Sequence, residues 1–407
     1  MRYSIINATI QQVQSVGGQD IKHAPNTYVI FATLTNVQAI RLRAMGCIVN
    51  ETRSVKMSVL PPIPVTARPT YTPAQLSSIA GIEQLKAITS PPLYGSGFNV
   101  AIIGTGIRET HQLVNGRVVF SKNYTTSPMY DGFNHDTGVC SIIVAVAPQC
   151  NILNLKVMDD LGNGTEEEVI LAIDDCITMV NTVNPLAPHI INMSLGNPDA
   201  GDPNDVIRLA CRAAIDKGIL VVAAAGNSGP NPETITSPSC ECNVLCIGSV
   251  KYLPSTKTFQ ISDWSSRGPT KEGLTKPDGV FFGEDIIMAS SDGDNITVAK
   301  SGTSFSAPFC SGIAILYQEA ICRVAKTKQI SIEDLINTWL PIVCIKPIDS
   351  IQGKDNNYGN GLLLAQLIVQ NLGIIPSMDI ASILSPLVSV MFTIPFFGMI
   401  NKVMVKK

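Results

Sequence analysis

The sequence predicts an α/β protein with a mostly parallel central sheet and helices on both faces, preceded by a small α+β unit. Two apolar runs, Val100 to Ile103 and Ile219 to Ala224, are continuous, and Ile190 to Met193 is broken only by Asn192. Strands buried on both faces of a parallel sheet read this way. Helical patterns lie between the runs; one opens on Thr165-Glu166-Glu167-Glu168, a capping box with carboxylates at the positive helix end, and continues through Ile177. With 45% apolar and 15% charged residues, the chain has ample material for a core. Ile152 to Val157, interleaved with Asn154 and Lys156, is expected nearer an edge of the sheet.

Four segments follow from this pattern. Residues 1–62 form the α+β unit. Tyr28 to Leu34 has strand composition, and Thr35 or Asn36 can cap a short helix with Val37, Ile40 and Ala44 on one face and Gly46 as its stop. Further strands are expected at Cys47 to Val49 and, by alternation, at Val55 to Leu60. Residues 63–74 belong to a Pro-rich linker that begins at Pro61-Pro62, and residues 75–372 carry the main domain. Residues 373–407 are an apolar tail. Ile380 to Ile400 contains no charged residue and is followed by Lys402, Lys406 and Lys407, so residues 380–400 are long enough to span a bilayer. Pro386, Pro395 and Gly398 interrupt that span, and an apolar arm laid on the protein body or on another subunit is the alternative.

The net charge of −3 and the absence of any Lys/Arg-rich run argue against a nucleic-acid partner. The eleven cysteines form no disulfide framework, and the first residues, MRYSIINATIQQVQ, lack a signal-peptide pattern. A reducing compartment with free thiols is therefore expected. Cys240, Cys242 and Cys246 cluster as C-x-C-x3-C without a second half of matching spacing. They read as a loop and a buried strand rather than as a metal site.

The chemistry concentrates in four motifs. Ser301-Gly302-Thr303-Ser304-Phe305-Ser306-Ala307-Pro308 precedes an apolar helical pattern from Phe309 to Ala320 and sets Ser304 at a helix N-terminus, where free N–H groups favour developing negative charge. An ordinary serine N-cap would look the same in isolation. Asn134-His135-Asp136-Thr137-Gly138-Val139 places an imidazole at another helix start. Ala223-Ala224-Ala225-Gly226-Asn227-Ser228-Gly229 ends a strand in a tight turn, and Asn192-Met193-Ser194-Leu195-Gly196 ends another with an open backbone edge.

Taken together these motifs resemble the subtilisin-like serine proteases, the subtilase family, over about residues 75–372. The resemblance implies a three-layer fold and a peptidase acting on polypeptide in extended conformation. It makes Ser304 the nucleophile, His135 the general base and Asn227 the oxyanion-hole donor, with Ser194, Leu195 and Gly196 as the edge that pairs with substrate. Tyr358-Gly359-Asn360-Gly361-Leu362 resembles the family's closing segment. The first 62 residues resemble the family's ferredoxin-like propeptide, which implies an intramolecular inhibitor and a cut within residues 61–75; an unrelated adaptor unit is the alternative.

One position departs from the family pattern. Val100-Ala101-Ile102-Ile103-Gly104-Thr105-Gly106-Ile107, with His111 following, puts Gly104 where the resemblance calls for the aspartate that orients the histidine. Loss of that carboxylate lowers turnover by about four orders of magnitude in serine proteases. Lowered peptidase activity is expected, the alternative being a dormant pseudoprotease that binds peptides without cutting them. Asp136 is expected to complement the helix dipole with its side chain turned away from the far nitrogen of the imidazole; Asp131 and Glu109 on flanking loops, able to swing in as substitute acids, or a water in the space left by Gly104 are the alternatives. Gly138 replaces the second histidine of the family's block, which implies altered packing only. The short connection up to Ala147-Pro148 leaves no room for the insertion that carries a strong calcium site in relatives. Asp159-Asp160, Asp199 and Asp202 read as solvated turns, with weak structural calcium there as the alternative; no other metal or cofactor is expected.

Overall fold

The computed structural model describes residues 1–57, 60, 69–325, 340–347, 350–351 and 353–371. The N-terminal unit runs β1 (Arg2–Ile6), α1 (Ile10–Ser15), β2 (Gln19–Ala24), β3 (Val29–Thr33), α2 (Asn36–Ala44) and β4 (Ile48–Glu51). Its four strands pair antiparallel in the order β2-β3-β1-β4, a ferredoxin-like arrangement. Thr9 and Thr35 both build capping boxes, with Gln12 and Gln38 respectively, and so fix the starts of α1 and α2. The face of α2 that enters the core is Ala39 and Leu42. Val37 and Ile40, expected on a common apolar face, are exposed instead.

After β5 (Ser54–Lys56) and the short helices α3 (Pro73–Ile79) and α4 (Ile82–Lys86) come β6 (Asn99–Gly104), β7 (Val118–Asn123), α5 (Asp136–Val146) and β8 (Asn151–Lys156). Then follow β9 (Asn163–Thr165), α6 (Glu166–Asn181), β10 (Ile190–Met193), β11 (Asn197–Pro198), α7 (Val206–Asp216), β12 (Leu220–Ala224) and β13 (Thr236–Ser237). The remainder is β14 (Leu245–Leu253), β15 (Thr258–Ile261), β16 (Gly279–Phe282), β17 (Ile286–Ala289), β18 (Thr297–Lys300), α8 (Thr303–Ala320), α9 (Leu340–Val343), β19 (Cys344–Ile345), β20 (Leu362–Leu363) and α10 (Ala365–Asn371). The predicted strand at Val55 to Leu60 is described only as the three residues of β5, and the helix expected to begin at Phe309 starts at Thr303 instead. The Pro-rich segment 61–68 and the tail from residue 372, including the predicted span 380–400, lie outside the described residues. Among the described residues no helix is long and apolar enough to cross a membrane.

The main sheet has ten strands, ordered β19-β20-β16-β14-β12-β10-β6-β8-β7 with β15 beside β14. Along that order every neighbouring pair between β20 and β7 is parallel, while β15 pairs antiparallel with β14. Alternation within each strand sends side chains to opposite faces. Val100, Ile102, Ile190, Leu220 and Val222 face α5 and α8, whereas Ala101, Ile103, Ile191, Val221 and Ala223 face α6 and α7. Burial on both faces explains the unbroken apolar runs. β8 sits one strand in from the edge, beside β7.

The N-terminal sheet lays its second face on α6. Ile6, Val29, Phe31 and Val55 join one apolar cluster with Val169, Ile170 and Ile173. Polar contacts fix the orientation. Arg2 and Lys22 both meet Glu167, Asp174 accepts from the amides of Asn26 and Thr27, and β5 pairs antiparallel with β9. Burial opposes ionisation of Glu167, but Arg2 and Lys22 outweigh it and hold this carboxyl below its ordinary range. Arg53 bridges the buried carboxylates of Glu166 and Asp205. Removing one partner of a buried pair strands the other charges. Arg53→Ala should therefore lower the stability of the full chain by about 3 kcal/mol in a denaturant melt; a loss under about 0.5 kcal/mol would show that the bridge is a surface contact in energetic terms.

Candidate active site

Strands β6, β10 and β12 end side by side, and the starts of α5 and α8 meet their carboxyl ends. From β6 the chain builds the sheet outward through β8 on one side and β10 on the other. The site therefore lies at a topological switch point, where open α/β sheets place their clefts.

The α8 start is organised by Thr303 and Pro308. Thr303 donates its N–H and its hydroxyl to Asn227 Oδ1, each at 2.9 Å, while its hydroxyl accepts from Gly226 N at 3.1 Å. The amide oxygen of Asn227 is thus taken up, and Asn227 Nδ2 is the atom facing Gly302, 3.6 Å from where a β-carbon would stand. Pro308 has no N–H to offer the carbonyl four residues back, which belongs to Ser304. That carbonyl instead accepts from Ser194 Oγ at 2.8 Å, and Ser304 Oγ donates to the Ser194 carbonyl at 3.1 Å. Gly302 precedes the helix in extended backbone, so the first-turn N–H of Ser304 has no carbonyl one turn behind it.

The α5 start is organised by Asp131. This buried carboxylate accepts from the amides of His135 and Thr137, from the Thr137 hydroxyl and from Thr105 Oγ1. Burial and the neighbouring Asp136 charge push Asp131 up, against the pull of those hydrogen bonds. Asn134 takes a left-handed backbone (φ 58°) and is held there by Ser290 and Asp292. His135 is the N-cap, its ring lying against Phe305 of α8 with centroids 5.2 Å apart. His135 Nε2 is buried and has no hydrogen-bond partner among the described residues.

Asp136 is not turned away. Its Oδ1 lies 2.6 Å from His135 Nδ1 and its Oδ2 accepts from Thr105 N at 2.6 Å. Side chains of a helix tilt toward its N-terminus, so a carboxylate on the first helical residue leans back over the N-cap ring. Space for it exists because Gly104 has no side chain: a β-carbon there would stand 2.0 Å from Asp136 Oδ2. Glu109 is engaged by Ser121 and Asn154, and His111 Nε2 donates to the Ile296 carbonyl; neither reaches His135.

Of the sequence-predicted residues, Ser304, Asn227, Ser194 and His135 converge on the α8 start. Ser194 and Leu195 are buried and Gly196 is half-buried. The Gly138 position is covered by Met288, whose sulfur would stand 2.4 Å from an added β-carbon. Cys240 and Cys246 share a small apolar cluster with Ala225 and Ile235, Cys242 is exposed, and no group of metal-ligating side chains forms among the described residues. Sequence reading gave no role to Thr105, Thr303 or Pro308. Their places inside the two glycine-flanked motifs were the available signal. Buried Lys156 was missed too; it donates to the carbonyls of Thr105 and Tyr130 from the adjacent strand.

The architecture is the subtilisin-like fold. A solved structure described as S41 psychrophilic protease matches it with a TM-score of 0.58 and 25% identity, over 70% of this chain and 96% of the other. Residues 95–361 match the model of the subtilase family, and the chain belongs to that family. It is 34% identical over 257 residues to serine protease AprX of Bacillus subtilis (strain 168), covering 55% of this chain and 57% of that one. It is 27% identical to an intracellular serine protease of Paenibacillus polymyxa, covering 75% and 90%. The chain spans a little over half the length of AprX and of a Bacillus subtilisin (strain TA39).

Gly104→Ala should force the Asp136 carboxylate out of its place and cost about 2–4 kcal/mol by overpacking and a stranded polar group. Adding Asp136→Ala to it should recover most of that loss in thermal unfolding. A Gly104→Ala protein as stable as the parent would mean that the space is not shared.

Proposed function

We propose that this protein is a serine endopeptidase that cleaves polypeptide bound in extended form. The observation that carries this reading is the Thr303 clamp, which ties Asn227 to the residue preceding Ser304 while the His135 ring lies on the residue following it, Phe305. In the reaction, Ser304 Oγ leaves the Ser194 carbonyl, gives its proton to His135 Nε2 and bonds to the substrate carbonyl carbon. The negative charge then on the substrate oxygen is received by Asn227 Nδ2 and the Ser304 N–H. The imidazolium returns the proton to the leaving amine as the C–N bond breaks, and a water repeats the sequence to free Ser304.

A dormant peptide-binding cleft is the second reading, and the bond between Ser304 Oγ and the Ser194 carbonyl favours it, because the hydroxyl donates there and not to the imidazole. A fluorophosphonate probe separates the two. Labelling of the parent that is lost in Ser304→Ala supports the peptidase, and an unlabelled parent supports the dormant cleft. Asn227→Ala should lower kcat on an unfolded protein substrate by about 100- to 1,000-fold with KM little changed.

The N-terminal unit is proposed to be the intramolecular inhibitor. β5 already lies antiparallel on β9, the manner in which an extended peptide adds to a sheet edge, and Met57 N continues the ladder to the Gly162 carbonyl. The chain is described again where Tyr71 bridges to Ile286. A new N-terminus within residues 61–75 is expected in purified protein, by terminal sequencing. Protein that always begins at Met1, in an active preparation, would contradict self-processing. The eleven unpaired cysteines support residence in a reducing compartment.

A further inference from the structure

We infer that Asp136 is the positioning residue for the His135 imidazole, and that the glycine at 104 is the accommodation that allows a helix-borne carboxylate to do this. The inference rests on the peptidase reading above. The Asp136 carboxylate and any side chain rooted at position 104 compete for a single volume, since a β-carbon on Gly104 would stand 2.0 Å from Asp136 Oδ2 and 2.9 Å from its Cγ. A carboxylate delivered from the end of β6 has been exchanged for one delivered from the first residue of α5, and the imidazole meets a carboxylate at its Nδ1 either way.

The two oxygens divide the work. Oδ2 is anchored to the Thr105 amide at the end of β6, and Oδ1 accepts the hydrogen bond from His135 Nδ1–H. Both side chains are only 2% exposed, so water does not compete for this contact. An acceptor at Nδ1 fixes the tautomer with Nε2 bare, and Nε2 is the atom left without a partner among the described residues. The first turn of α5 also favours a negative charge at that point. Asp131, the other buried carboxylate of this loop, is occupied with the His135 and Thr137 amides and the Thr105 hydroxyl. Residues 104 and 136 therefore act as a reciprocal pair: a small residue at 104 requires an acid at 136, and an acid at 104 requires a small residue at 136.

The test exchanges the two on the full-length chain and reads fluorophosphonate labelling rate and peptide turnover. Asp136→Asn should lower kcat on the order of 10⁴-fold with KM little changed. Gly104→Asp alone should be poorly folded or slow, and Gly104→Asp/Asp136→Ala should regain at least about a hundredfold over Asp136→Ala, part of the transition-state term at stake. The double variant keeps the test decisive if Asp136→Ala does not fold, because it should both fold and react. Parent-like turnover of Asp136→Asn, or a folded double variant no faster than Asp136→Ala, would overturn the inference while leaving the peptidase reading intact. Should the parent itself not label, that reading fails, and proton NMR of the imidazole decides the positioning claim. A protected Nδ1–H resonance present in the parent and in Ser304→Ala but absent in Asp136→Asn supports it; one unaffected by Asp136→Asn removes it.

Discussion

One buried carboxylate, that of Asp136, ties the end of a central strand to the start of the helix that bears the histidine. It accepts from the Thr105 amide with one oxygen and meets His135 Nδ1 with the other. An ion removed from water at this depth is costly unless its acceptor sites are filled. Here two strong donors and the positive end of α5 fill them, and the missing side chain at 104 supplies the room. Asp131 responds to the arrangement: it is pushed up by burial and by the charge beside it, yet still holds three donors of its own loop and helix start and the Thr105 hydroxyl from the end of β6.

The other half of the site follows from a missing donor. A proline on the sixth residue of α8 leaves the Ser304 carbonyl without its helical partner, and the β10 terminus fills the gap through Ser194. The reciprocal bond from Ser304 Oγ to the Ser194 carbonyl makes the strand end and the helix start one unit. Thr303 does the same for β12 by taking the amide oxygen of Asn227. Each strand end is thus joined to a helix start by hydrogen bonds.

Much of this was legible in the sequence. Runs such as Val100 to Ile103 are strands to within a residue at each end, because burial on both faces removes the polar interruptions that blur boundaries elsewhere. The Thr165 capping box marked the start of α6 for a local reason, the pairing of Thr165 with Glu168 three residues on. The N-terminal unit was read only in part. β2 is Gln19-Asp20-Ile21-Lys22-His23-Ala24, almost wholly exposed, and carries no alternation to detect. α1 is six residues with Val13 as its one buried side chain. In α2, Val37 and Ile40 drew the apolar face to the wrong side, since in so short a helix the small Ala39 and Leu42 decide what is buried. The position of the Asp136 carboxylate was missed because sequence adjacency suggests divergence, whereas the backward tilt of helical side chains and an empty volume contributed by a distant strand bring it onto the ring.

The docking of the N-terminal sheet on the main domain is a consequence of one surface, that of α6. The acidic first turn of α6 caps its own helix through Glu168 and offers Glu166 and Glu167 to Arg53, Arg2 and Lys22. The most direct measurement is a crystal structure of the chain carrying a peptide boronic acid on Ser304. The account predicts a tetrahedral adduct with one oxygen within hydrogen-bond reach of Asn227 Nδ2, His135 Nε2 beside the adduct, and the Asp136 carboxylate still on Nδ1. An adduct whose histidine is held at Nδ1 by any other group, with Asp136 turned to solvent, would contradict it.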